Sequence, residues 1–161
     1  MRRLVLVVAL LAGGLVGWLA SPRGAPPAEE EQIRETLELA RQAAEARNAG
    51  RFMRYISTRY DDGHYQYETL RGMLSFGLRE YTQVRVILYV RDIQVKGATA
   101  TAELEVQAEG TDPSGNRARF EDMMRVEFVR ERARRRLFFK ESRWRALSTD
   151  SIGDLQDAFV Q

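Results

Sequence analysis

The chain has 161 residues, 25 of them Lys or Arg, 23 Asp or Glu, 12 Gly, 4 Pro and none Cys. That length supports one domain with its own core plus a short appendage, and a 30% charged fraction with few chain breakers excludes a disordered or fibrous polymer. The absence of cysteine excludes a disulfide framework, a thiol nucleophile, a cysteine-bound zinc and the lipidated cysteine of a bacterial lipoprotein. The net charge of +2 conceals its distribution: setting aside Arg2, Arg3 and Arg23 leaves 22 basic against 23 acidic residues. Within that near-neutral remainder, residues 130–145 hold eight basic side chains against Glu131 and Glu141.

Residues 4–20, LVLVVALLAGGLVGWLA, form an uncharged run of 17. As a helix it would span about 26 Å, a little short of the roughly 30 Å hydrocarbon core but longer than the core of a signal peptide. The cleavage options pair Ala20 with Trp18 or Ser21 with Leu19, and neither offers two small residues, so residues 1–22 are expected to be an uncleaved anchor rather than a cleaved signal. Arg2 and Arg3 before the run, with only Arg23 close behind it, predict the N-terminus inside and the domain exported. Cleavage would make the protein secreted instead. Residues 23–28 continue a proline-rich spacer.

Residues 29–62 read as a long amphipathic helix, a break at Asn48, Ala49 and Gly50, and a short second helix with Phe52, Tyr55 and Ile56 on its apolar side. Ile33, Leu37, Ala40 and Ala44 share one helical face, and Glu29, Glu30 and Glu31 sit where carboxylates favour the helix dipole. Residues 58–67, TRYDDGHYQY, make a polar-aromatic loop with a turn at Asp62 and Gly63. A third helix over residues 68–81 buries Leu70, Met73, Leu74, Gly77, Leu78 and Tyr81. Gly72 and Gly77 within it imply close packing or a bend.

The period then changes from helix to strand. Residues 84–95 are rich in Val, Ile and Tyr, and Lys96-Gly97 marks a turn. Ala98, Ala100, Ala102, Leu104, Val106 and Ala108 alternate with polar residues, which predicts a strand with one buried face. After a loop over 110–116, Ala118, Phe120, Met124, Val126 and Phe128 give a third strand. A basic turn over 130–136 leads to a fourth strand over 137–148, leaving 149–161 as a tail whose Ile152, Leu155 and Phe159 could make an amphipathic turn. The expectation is an α+β protein: a membrane helix followed by a cone-like domain of three helices on a curved, mostly antiparallel four-stranded sheet over 29–148.

Three elements together resemble the nuclear transport factor 2-like superfamily, which includes SnoaL-like and ketosteroid isomerase-like proteins. They are the long-helix, short-helix stretch ending Tyr60-Asp61-Asp62, the third helix followed by a meander of long strands, and Glu141-Ser142-Arg143-Trp144-Arg145-Ala146 in the last strand. Asn48 departs from the pattern, being often acidic in that superfamily, as does Ala146, which is smaller than usual. The resemblance implies a cone, often with an apolar pocket and often a dimer across the sheet, but no single function. The anchor-plus-cone layout is also similar to inner-membrane assembly components of bacterial type IV secretion systems, although those usually carry a longer cytoplasmic arm.

Each chemical candidate has a bland alternative. Asp122 interrupts an apolar row and points inward if its strand is regular, where burial would raise its pKa toward use as a base; otherwise it marks a bulge or the sheet rim. His64 could assist at the mouth of a pocket or be an idle surface residue. Tyr60, Tyr65, Tyr81, Tyr89 and Trp144 are candidate pocket residues, with ordinary packing as the alternative for the latter three. Arg132, Arg134, Arg135 and Arg136 offer an anionic-surface patch or simply keep a hairpin edge soluble. No metal-ligand spacing and no cofactor motif is present. Export and the lack of interleaved aromatics argue against nucleic acid. The expected role is a membrane-anchored, non-enzymatic ligand-binding or protein-assembly module, held in the membrane through residues 4–20 and able to dimerise through its sheet. An enzyme acting on a small apolar substrate through Asp122 is the alternative.

Overall fold

A computed structural model describes residues 28–134 and 140–151 of the chain, with side chains described except at 132–134, 140–142 and 151. Helix α1 (Glu29–Glu45) opens on the three expected glutamates and buries Ile33, Leu37, Ala40, Ala43 and Ala44 completely. On its outer side the Arg41 guanidinium forks to Glu38 at 2.7 Å and to Glu45 at 2.7 Å. Arg47 then takes a left-handed conformation (φ 54°), and the Asn48 side chain accepts from Arg51 N at 2.9 Å. The break is therefore made by Arg47, and Asn48 caps the short helix α2 (Ala49–Phe52). A single 3-10 turn, Met53–Tyr55, follows.

Helix α3 (Tyr67–Glu80) buries Leu70, Leu74, Gly77 and Leu78. Gly72 does not fit the close-packing expectation, because a Cβ there would meet nothing within 4 Å. Its exposed position leaves the entropic cost of glycine without a packing return.

Strands β1 (Gln83–Lys96), β2 (Thr99–Thr111), β3 (Arg117–Arg134) and β4 (Lys140–Ser151) form a four-stranded sheet in the order β1-β2-β3-β4, with every neighbouring pair antiparallel. The alanines of β2 face the helices from Ala100 onward, whereas Ala98 is exposed in the turn that Gly97 (φ 65°) makes possible. Register shifts at Val90/Asp92 and Glu127/Phe128 mark bulges. The free edge of β4 is covered by the chain leaving the 3-10 turn, with Ile56 bridging Ala146 in parallel and Ser57 N donating to Ala146 O at 2.8 Å. The architecture is α+β, three helices on an open antiparallel sheet.

Two boundaries differ from expectation. Residues 130–134 continue β3 instead of turning, since arginines at 130, 132 and 134 replace the apolar residues of the inward phase and erase the period-two signal, while the aliphatic stem of Arg130 tolerates a half-buried site. β4 runs to Ser151, with Thr149, Asp150 and Ser151 opposite Val126, Arg125 and Met124, so the strand extends past residue 148. The expected anchor over 1–22, the spacer through 27 and residues 152–161 lie outside the described residues. Among the described residues no helix is long and apolar enough to cross a membrane.

Candidate functional site

Asp122 faces the interior. The β2–β3 register is uninterrupted, with Val106 opposite Asp122, so Asp122 keeps its inward phase between Phe120 and Met124. Its residue is 7% exposed, and its Oδ1 accepts from Met123 N at 2.7 Å. Around that inner face, Phe120, Met124, Phe128, Leu74 and Trp144 are all buried in one continuous apolar cluster.

The loop from Tyr60 to Tyr67 is organised around Asp62. Asp62 Oδ1 accepts from His64 N at 2.8 Å and Tyr65 N at 2.6 Å, while Oδ2 accepts from the Tyr60 hydroxyl at 2.7 Å. Gly63 (φ 82°) makes the turn possible. The Tyr60 hydroxyl also shares a hydrogen bond of 2.6 Å with Thr149 Oγ1. Burial pushes the Tyr60 pKa well up, and the neighbouring Asp62 carboxylate acts in the same direction against the Thr149 hydrogen bond. Tyr60 is thus a buried pin between this loop and β4. Tyr65 is half-buried in the loop, whereas His64 is exposed at its tip. The structure places His64 in solvent and Asp122 in the core, so the acid–base pair suggested by the sequence is split between two environments.

The remaining aromatic candidates also separate. The Tyr81 ring lies on the backbone of Gly110, where an added Cβ would come within 2.6 Å of Tyr81 Cδ1. Burial raises the Tyr81 pKa, with Glu80 and Asp112 adding to it. Trp144 is buried, with the Arg130 guanidinium 5.5 Å from its ring centroid. Its indole Nε1 has no hydrogen-bond partner among the described residues. Tyr89, at 51% exposure, stands on the opposite face of the sheet and lines no interior space. Val86 and Leu88 hold the inward phase of β1, which leaves Tyr89 outward.

Arg135 and Arg136 lie outside the described residues, as do the side chains of Arg132 and Arg134. Elsewhere in the basic stretch, charges are paired within the fold. Arg130 bonds Glu29 of α1 and the Gly97 carbonyl, the latter at 3.2 Å. Glu131 takes the Ser57 hydroxyl at 2.6 Å and pairs with Arg145 at 3.3 Å and Arg59 at 3.8 Å. Sequence reasoning missed these roles of Glu29, Glu131 and Thr149, because each partner lies far along the chain. Among the described residues no group of three or more His, Cys, Asp or Glu could hold a metal ion.

No protein-family model matches the sequence and no curated protein matches it. Solved structures do. A Novosphingobium aromaticivorans protein described as a candidate scytalone dehydratase matches at TM-score 0.63 and 8% identity, over 76% of this chain and 82% of its own. A nuclear transport factor 2-like protein with a cystatin-like fold, from the same organism, matches at TM-score 0.57 and 17% identity, over 76% and 80%. A protein of Bdellovibrio bacteriovorus matches at TM-score 0.60 and 9% identity over 75% of this chain, which spans only 39% of that protein. The fold is that of the nuclear transport factor 2-like proteins, in agreement with the resemblance carried by the sequence.

Proposed function

We propose that the chain is a membrane-anchored, exported domain that works as a non-enzymatic binding or assembly module. What carries this reading is the interior: Phe120 and Met124 flank Asp122 on the inward face of β3, Val106 lies opposite it, and all three are buried in the same apolar cluster as Leu74, Phe128 and Trp144. A contact function then falls to the surface. Ile87, Tyr89 and Met123 are exposed apolar residues on the outer sheet face, and a second copy of the chain is the simplest partner for them. Arg130 supports the anchored arrangement, since its bond to Glu29 sets the β3–β4 hairpin at the same end of the domain as residue 28, where the N-terminal segment joins. Arg132, Arg134, Arg135 and Arg136 would there meet anionic headgroups.

The test uses the full chain purified in detergent. Sedimentation velocity should show self-association, and Asp122→Asn should leave that association and the binding of apolar small molecules unchanged. Loss of a detected ligand or turnover in Asp122→Asn would instead favour the enzyme. That second reading has its own support in the inward phase of Asp122 and in a neighbour described as a candidate dehydratase. Alkaline extraction of membranes tests the anchor: release of the chain into the supernatant would overturn it.

A further inference from the structure

At the end of the sheet opposite the basic hairpin, β1 begins, β2 ends, β3 begins and α1 finishes. These four termini border a half-open cleft of about 530 Å³ lined by Glu45, Arg47, Thr82, Arg85, Glu109 and Arg117 among others. Its carboxylates are already engaged. Glu45 accepts from Val86 N at 2.9 Å and pairs with Arg41, and Glu109 pairs with Arg117 at 3.6 Å. Arg47 spends only one N–H on the Tyr81 carbonyl, at 2.8 Å. Arg85 lies opposite Glu109 in the β1–β2 register but forms no ion pair within 4 Å with it or with any other described residue, leaving its guanidinium fork open.

We propose that this cleft is a binding site for a phosphorylated small molecule, held between the guanidinium groups of Arg47 and Arg85. Two separate planar forks suit a phosphate, which offers three oxygens and up to two charges, better than a carboxylate that one fork satisfies. The volume falls in the range of small-ligand clefts. Arg47 is held in place by its left-handed backbone and by its bond to the end of α3, so little ordering is needed on binding. The seventeen residues of α1 set the cleft about 26 Å from the end that carries residue 28. A phosphate dissolved in the surrounding compartment therefore reaches it more directly than a headgroup of the bilayer.

Calorimetric titration of the full chain in detergent tests this with two probes, glycerol 3-phosphate and dihexanoyl phosphatidylglycerol below its micelle concentration. The expected result is saturable, salt-sensitive 1:1 binding of glycerol 3-phosphate, weakened about tenfold or more by Arg85→Gln and by Arg47→Gln. Arg85 is exposed on a strand, so Arg85→Gln should leave the thermal melt unchanged and separates lost binding from lost folding. Equal or tighter binding of the lipid probe through the same two arginines would make the source a headgroup while keeping the site. Absence of binding by both probes, or binding indifferent to both substitutions, would overturn the proposal.

Discussion

The Tyr60 hydroxyl is the point at which one residue ties a loop to the sheet. It is 2% exposed and lies between Asp62 and Thr149. Tyr60→Phe leaves Thr149 and Asp62 short of a buried partner and should cost about 1–3 kcal/mol in a urea titration. The pH dependence has a definite sign. The folded pKa lies above the ordinary tyrosine value near 10, so above about pH 10 the unfolded chain sheds this proton while the folded one keeps it. Stability should fall as pH rises through that range, and the fall should be shallower in Tyr60→Phe. Equal alkaline slopes in both proteins would disprove the assignment; Tyr81 contributes in the same direction to both and cancels in the comparison. Gly110 is the second such residue. A methyl group there meets three atoms of the Tyr81 ring at 3.0 Å or less, so Gly110→Ala should destabilise by about 1–3 kcal/mol. Replacing Tyr81 with alanine in the same chain should remove most of that penalty, which a double-mutant cycle measures.

Among the elements, α1 and β1 show how an exposed sheet edge is closed. β1 is an edge strand, and Glu45 from the last turn of α1 accepts the Val86 N–H on it. Glu45→Ala should cost about 1–3 kcal/mol, because a part-buried backbone donor loses its acceptor and Arg41 loses one of two carboxylates. Protection of the Val86 amide from hydrogen exchange should fall further than protection of β2 amides; a uniform drop would mean that the contact is not local. The sequence showed α1 and β2 clearly because each has one dominant period: Ile33, Leu37, Ala40 and Ala44 on one helical face, and Ala100, Ala102, Leu104, Val106 and Ala108 on one strand face. It failed where both faces of a strand have the same character. β1 alternates Val86 and Leu88 with Ile87 and Tyr89, all apolar, so Tyr89 read as an interior residue. The end of β3 carries Arg130 inward over Trp144 and therefore read as a turn. The candidate site was legible only in the inward phase of Asp122, because nothing local in the sequence reports that its surroundings are filled.

At the scale of the whole molecule the outer sheet face decides whether the domain can work alone. Its exposed apolar residues are interleaved with polar ones: Ile87 lies opposite Gln107, while Tyr89 and Met123 flank Glu105 from the two neighbouring strands. Charges around them are internally matched, with Arg91 paired to Glu105 and Arg125 to Glu103 at 2.9 Å. A face four strands wide and as long as β2 covers roughly 19 by 44 Å, or about 800 Å², the area per partner of a standard interface. Such a surface is large enough for one self-contact and has no strong charge of a single sign to prevent it. Tyr89→Glu or Met123→Glu places an unmatched carboxylate beside Glu105 in that face, and each should lower self-association at least about tenfold while leaving the thermal melt of the monomer within a few degrees. Association that persists in both variants would move the contact away from the sheet, and a drop in stability equal to the drop in association would mean that the fold itself had been damaged. Salt provides the internal control: contact held by Ile87, Tyr89 and Met123 should strengthen or hold steady in sulfate, whereas contact carried by the arginine hairpin should weaken.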